Sequence, residues 1–358
     1  MMIKSVEINN FKGLSNFHLN NLSHINLFGG KNNVGKTTFL EALFMFYDRL
    51  NPNMILRQFN WRGVNEVSLT PEALFAPIFK DFDLSNRIDI RIINRNGSTE
   101  SLIINFDKNE NRVVKMESID GQIRTDDNPI VALASLVIKY RKNEGKEQIS
   151  HLIIEQKGLG MELKNVSNPD KNAAFLASKS HVHPNENAIR FGELDMKGQS
   201  QPIVEYLKVI EPDLKGISSI ALPNGTAMLY GDIGIGPKIP ITYMGDGISR
   251  LLTILLAIVT HKNGLVFIDE IENGLHYSVQ DKIWEIIGKA AKEFNCQIFA
   301  TTHSYECLNA AVKGLPLEIR NDFKYFRFEK NKESRRVIPK EFDYEVLQAA
   351  VERGWEVR

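Results

Sequence analysis

The chain has 358 residues, 43% of them hydrophobic, and its 44 Lys+Arg are matched by 44 Asp+Glu, for a formal net charge of zero. That balance excludes a nucleic-acid or anionic-membrane binder driven by bulk charge and leaves any such contact to a local patch. The length allows one large or two modest domains, and two cysteines exclude a disulfide framework and fit a reducing compartment.

"IKSVEINNF" and "FHLNNLSHINLFGG" read as short strands. Gly35 to Leu50 reads as a helix, with Phe39, Leu40, Leu43, Phe44 and Tyr47 at helical spacing. Residues 51–85 are irregular except for a helical stretch near 71–80. "RIDIRIINR", "SLIINF" and "RVVKMESI" alternate apolar and polar residues between polar turns, which predicts an antiparallel meander. In the mixed region 128–215, "SKSHVHPNEN" reads as a loop and "PIVEYLKVIEP" as a helix. His181 and His183 lack Cys or acids at ligand spacing, so that loop is expected to hold no metal. "GISSIALPNGTAMLYG" reads as a hairpin turning at Asn224-Gly225. Helix 248–261, strand "GLVFIDE", helix 276–293, strand "CQIFATTH" and helix 304–313 then alternate, the mark of a parallel α/β sheet. Strands 323–328 and 334–338 and helix 342–353 close the chain. No apolar run approaches the ~20 residues of a membrane span, and no signal-peptide core opens the chain. A cytoplasmic protein without membrane contact is expected.

Three constellations carry chemistry. The run Gly30-Lys31-Asn32-Asn33-Val34-Gly35-Lys36-Thr37 is a full G-x-x-x-x-G-K-[ST] phosphate loop between an apolar strand and an amphipathic helix. Its glycines let successive N–H groups point at phosphate oxygens, and the helix start adds a positive dipole end. Lys36 is expected to reach the β- and γ-phosphates. Thr37 is expected to ligate Mg²⁺, with Thr38 following it in the ATP site. The apolar strand 265–268 ends in Asp269-Glu270, at the sheet edge where open α/β folds bind ligands. Asp269 is expected to hold Mg²⁺ through water and Glu270 to polarise the attacking water. "IFATTHS" delivers His303 to the same edge as a γ-phosphate sensor or hydrogen-bond hub.

These residues carry a family resemblance. "IKSVEINNFKGLSNFHL" with the phosphate loop, "FIDEIENGLH" and "ATTHS" together resemble ABC-type ATPases of the SMC, RecF and OLD group. The resemblance covers roughly 1–50 and 238–358. It implies a P-loop NTPase of α/β class: an ABC-ATPase-like head with a mixed sheet, an antiparallel β lobe and a helical or mixed middle insertion. Residues 1–50 and 238–358 then form the discontinuous core, and 51–237 the meander and insertion.

In such proteins two heads sandwich two ATP molecules, each site pairing one subunit's phosphate loop with the other's signature motif. Residues 244–250 are the candidate signature. With Arg250 aligned to the basic residue of Ser-Ser-Gly-Glu relatives, Gly245 replaces the first serine, Gly247 keeps the glycine and Ile248 replaces the acid or amide. The expected γ-phosphate contact therefore moves to the backbone N–H groups of Gly245, Asp246 and Gly247. The Asp246 carboxylate is expected to point away or cap the helix. Bulky residues at Gly245 or Gly247 are expected to spare nucleotide loading and block head closure. Glu272 to His276 resemble the D-loop that crosses the interface.

Lys12 reads either as a nucleotide-side cation or as part of a surface turn. The sequence does not place the Q-loop: Gln58, in "ILRQFNW", reads first as a loop glutamine, with the Q-loop glutamine as its alternative. Only about 55 residues follow His303, too few for the Toprim nuclease of OLD proteins besides the closing strands and helix. The resemblance thus implies a homodimeric or larger ATP switch that controls a separate effector, a nuclease in anti-phage defence. The alternative is a RecF-like repair ATPase that binds DNA itself, for which the basic run "KYRKNEGK" (139–146) is the available patch.

Overall fold

The computed structural model describes residues 2–108, 134–155, 158–164, 166, 172–179 and 182–357. The chain begins with β1 (Ile3–Asn9) and β2 (Phe17–Leu19), an antiparallel pair, and then β3 (Ile25–Gly29), α1 (Lys36–Tyr47), α2 (Met54–Trp61) and α3 (Pro71–Leu74). The helix expected over 71–80 stops at Leu74 and continues as two 3₁₀ turns. Pro77 has no N–H for another α-helical bond. Strands β4 (Ile88–Asn94), β5 (Thr99–Asp107), β6 (Ser135–Lys142), β7 (Gln148–Glu155) and β8 (Gly158–Lys164) join the first pair in a seven-stranded sheet. Its order is β2-β1-β4-β5-β6-β7-β8, antiparallel throughout. The expected strand 112–119 and His181 lie outside the described residues.

The chain continues with β9 (Ala173–Leu176), α4 (Pro184–Met196) and α5 (Gln201–Leu207). The last four residues of the "SKSHVHPNEN" segment, 184–187, are helical rather than loop. His183 caps α4 by accepting from the Asn185 N–H at 3.2 Å, and Pro184 takes the first helical position, where its missing N–H costs nothing. Strands β10 (Gly216–Ala221) and β11 (Ala227–Asp232) form the hairpin expected around Asn224-Gly225, and β12 (Ile239–Pro240) adds a third strand.

The last part alternates as expected: α6 (Asp246–Thr260), β13 (Leu265–Ile268), α7 (Gln280–Glu293), β14 (Gln297–Thr301), α8 (Tyr305–Gly314), α9 (Leu317–Arg320), β15 (Phe323–Lys330), β16 (Val337–Asp343) and α10 (Tyr344–Glu352). The final strand begins later than its sequence pattern suggests. The Asn331 carboxamide oxygen accepts from the N–H groups of Glu333 and Ser334 and keeps 331–336 in a turn.

Six strands form the second large sheet in the order β16-β15-β3-β14-β13-β9. All neighbours are parallel except β15 and β16. β9, from the middle of the chain, is therefore the edge neighbour of β13. Strands β3, β13 and β14 are buried at every position, as a parallel sheet covered on both faces requires. Their residues alternate between two cores. Leu27, Val266, Ile268, Ile298 and Ala300 face α6, α7 and α8. Phe28, Leu265, Phe267 and Phe299 face α1 and the seven-stranded sheet. On that second face Phe28 packs against Phe39 of α1 with ring centroids 4.9 Å apart. This aromatic layer fixes α1, and with it the loop that precedes it, over the carboxyl edge of the sheet.

Candidate nucleotide site

The phosphate loop leaves β3 and turns into α1. Gly30 has φ +128° and Gly35 φ +98°, conformations an L-side chain rarely adopts, and a Cβ at Gly30 would overlap the Phe328 carbonyl oxygen. Gly35 is the helix N-cap. It offers no side-chain oxygen, and the first turn of α1 holds no acid. The N–H groups at this helix start are thus left to an anion. Lys36 is 9% exposed, and its ammonium donates to the carbonyls of Gly30 (2.6 Å) and Lys31 (3.0 Å). Burial pushes it below its ordinary pKa, opposed by the carboxylates of Asp269, Glu270 and Glu272. Lys31, Asn32 and Asn33 are exposed at the loop tip. Val34 is buried beneath it, and Thr38 lines a neighbouring cavity.

The structure brings the sequence-predicted polar residues of three elements together. Asp269 ends β13 at 4% exposure. Its Oδ1 accepts from the hydroxyls of Thr37 (2.8 Å) and Thr301 (2.7 Å). The next residue, Glu270, has φ +47°. Its N–H donates to Thr301 Oγ1 (2.8 Å), and its Oε2 accepts from Asn273 Nδ2 (2.8 Å). A left-handed acid at a strand end is a strained turn held by its surroundings, and Thr301 holds it from both sides. His303 follows β14 with its Nδ1 3.8 Å from Glu270 Oε1 and 3.2 Å from Glu272 Oε1, while its N–H donates to Glu272 Oε1 at 3.0 Å. Thr37 and Asp269 supply hard oxygens beside the phosphate loop, a donor set that fits Mg²⁺, which takes one or two protein ligands plus phosphates and water.

The Gly-Asp-Gly segment sits elsewhere. Gly245 is the N-cap of α6 with φ 106° and ψ 159°, and open space surrounds the position of a Cβ there. Gly247 is helical and approaches Gly274. Asp246 is exposed at the first helical position, where an acid suits the helix dipole. Asp246, Asn273 and Gly274 line a cavity of about 360 Å³. Asn33, Val34, Gly35 and Thr38 line another of about 430 Å³. The two cavities share no lining residue. Arg250 ties α6 to β13, donating from Nη2 to the carbonyls of Asp269 (3.1 Å) and Glu270 (3.4 Å).

Two features escaped the sequence. Ser178, two residues beyond β9, donates to Asp269 Oδ2 at 3.0 Å. Gln58 is buried, with its amide on the Met45 sulfur at 3.4 Å, so the residue that reaches Asp269 from outside the predicted set is Ser178 and not Gln58. The second is Glu41, fully buried on α1, which pairs with Lys12 (2.8 Å) and in a fork with Arg62 (2.9 and 2.7 Å). Lys12 sits in a turn, as one of its two readings had it, but its side chain runs inward to Glu41. Burial pushes its pKa down and Glu41 opposes that. Burial also works against the Arg62 charge, but Glu41 and Asp269 outweigh it and raise the pKa. The available signal was an acid within the apolar run "FLEALFMF", since a buried carboxylate demands cations.

A family model described as "AAA domain, putative AbiEii toxin, Type IV TA system" matches residues 25–309. The chain is 26% identical over 325 residues to an ATP/GTP phosphatase of Helicobacter pylori, covering 85% of this chain and 86% of that one. It is 31% identical over 133 residues to an uncharacterized protein of Methanocaldococcus jannaschii, covering 36% of this chain and 56% of the other. A solved SMC head bound to the C-terminal winged-helix domain of ScpA shares the fold at TM-score 0.50 and 13% identity, over 96% of this chain and 98% of that one. Among the described residues, no helix is long and apolar enough to cross a membrane.

Proposed function

The chain belongs to this AAA-domain family, a P-loop ATPase with an SMC-head-like fold, and from that premise we propose that it is an ATP-driven dimeric switch for a separate effector. The observation that carries the proposal is the division of the site. Phosphate loop, Asp269, Glu270 and His303 converge at one sheet edge, while Asp246, between the two glycines at the start of α6, lines a cavity separate from the one beside the phosphate loop. Two copies facing each other would bring one copy's glycines to the other's nucleotide. Tyr243 and Tyr277, 82% and 70% exposed, flank the Gly-Asp-Gly segment and the D-loop-like turn, which suits a surface covered on closure.

The chemistry follows from the residues. Loop N–H groups and Lys36 bind the β- and γ-phosphates. Thr37 and Asp269 would hold Mg²⁺, which offsets phosphate charge. Glu270 accepts a proton from the attacking water, oriented by Asn273, and His303 bridges Glu270 to the γ-phosphate. Because Arg250 joins the Asp269–Glu270 backbone to α6, loss of the γ-phosphate is transmitted to the helix whose start would grip the partner's nucleotide.

The effector assignment, a nuclease in anti-phage defence, rests on the resemblance to compact OLD-like ATPases and is analogy. The DNA-binding alternative gains no support from its basic run, in which Lys139 and Arg141 both pair with Glu147 (3.7 and 3.3 Å). ATP turnover by purified protein, with and without DNA, tests the choice. Turnover indifferent to DNA is expected, and strong DNA stimulation would move the reading to the RecF-like alternative.

A further inference from the structure

Three hydroxyls, carried by three elements, converge on the Asp269 carboxylate. They are not equivalent. Thr301 is 1% exposed, and its oxygen both donates to Asp269 and accepts the Glu270 N–H, so its bonding is used within the fold. Thr37 and Ser178 are each only partly buried. Among the described residues, neither hydroxyl makes a second hydrogen bond. Thr37 reaches Oδ1 and Ser178 reaches Oδ2, so they stand on the two oxygens of one carboxylate. A hydroxyl that donates its proton to a carboxylate keeps two lone pairs.

The position of Ser178 is fixed by the sheet. β9 runs parallel to β13 with Leu176 opposite Ile268, and the Asp269 N–H donates to the Leu176 carbonyl at 2.8 Å. Ser178 and Asp269 thus leave neighbouring strands at the same carboxyl edge, the edge that binds ligands in open α/β sheets. We propose that Ser178 is a direct ligand of the Mg²⁺ that accompanies the nucleotide, standing across Asp269 from Thr37. This rests on the ATPase reading above and makes Ser178 the second direct protein oxygen of its metal site beside Thr37, with Asp269 acting through water. A serine there offers a neutral, hard oxygen, as Mg²⁺ favours.

The test reads metal binding rather than turnover. Binding of a fluorescent ATP analogue to the full chain is titrated with Mg²⁺ for the parent, Ser178→Ala, Ser178→Thr and Ser178→Cys. The Mg²⁺ concentration for half-saturation is expected to rise about tenfold or more in Ser178→Ala and to stay near the parent's in Ser178→Thr. In Ser178→Cys it should also rise for Mg²⁺. Thiophilic Cd²⁺ should then support binding better than in the parent and give a thiolate–Cd²⁺ absorption band. The native Cys296 and Cys307 do not compete, because both are buried and burial pushes their thiols up to about 12. Unchanged Mg²⁺ dependence in Ser178→Ala overturns the proposal while the ATPase reading stands. So does a weakened Ser178→Cys with no Cd²⁺ preference and no band, which would leave Ser178 merely bracing Asp269. A parent that binds no nucleotide with Mg²⁺ overturns the ATPase reading as well.

Discussion

Gly245→Ala separates the two halves of the site. Gly245 holds φ 106° and ψ 159°, a backbone region essentially reserved for glycine, although nothing crowds a Cβ there. The cost of an alanine is therefore conformational rather than steric. Residues forced into such regions cost on the order of 1–3 kcal/mol. The variant either bears that strain or relaxes the start of α6 away from its present geometry. In the second case ATP-driven association must restore the geometry, and it weakens by the same amount, roughly 5- to 150-fold. Nucleotide loading is expected to persist, because the phosphate loop lies in a separate cavity. Gly247→Ala is the control. Its backbone is helical and the new Cβ meets Gly274 O at an ordinary 3.5 Å. Stability should hold or rise by up to about 1 kcal/mol. Fluorescent-nucleotide titration, thermal unfolding and sedimentation in ATP and Mg²⁺ read the three quantities. Parental ATP-dependent dimerisation in a Gly245→Ala variant whose thermal stability is also parental would refute the assignment of this turn to the partner's nucleotide.

Lys36→Met keeps most of the buried stem and removes the ammonium that now sits on Gly30 and Lys31. Calorimetric ATP titration should show affinity lowered by about 10- to 150-fold, the loss of a charge-assisted bond worth about 1.5–3 kcal/mol; undiminished affinity would contradict the phosphate-loop role. Asp48 ends α1 beside Arg57 (2.9 Å), and burial raises its pKa to about 6, against the lowering pull of Arg57. The unfolded chain releases this proton first, so its contribution to stability falls as pH rises from about 4 to about 6, by on the order of 2–3 kcal/mol. Asp48→Asn should gain on the parent across that window in urea denaturation, and a difference independent of pH would contradict the shift.

The parts of the fold that announce themselves in the sequence are those governed by local pattern. The continuous apolar run of β13 marks a buried parallel strand, and the glycines around Lys36 mark a loop with unusual φ. The parts that do not are set by pairing across the chain. β9 is four residues, "AAFL", with no alternation, and only its register against β13 makes it part of the nucleotide sheet. Ser178 inherits that difficulty, since a lone serine after a short apolar run carries no local signal. Glu41 was hidden differently. A helix-favouring acid in an amphipathic run looks solvated until the packing of α1 under Lys12 and Arg62 buries it. The two glycines flanking Asp246 look alike as letters and differ in backbone, one in the glycine-only region and one helical.

The central claim is that Glu270 drives turnover in a site completed by a second copy. Glu270→Gln keeps the side-chain oxygen that faces Asn273 and removes the base. Turnover should fall by at least about 100-fold, ATP binding should persist, and light scattering in ATP and Mg²⁺ should find twice the protomer mass, reverting to the protomer without nucleotide. A variant that hydrolyses ATP like the parent, or one that binds ATP and stays at the protomer mass, would contradict the account.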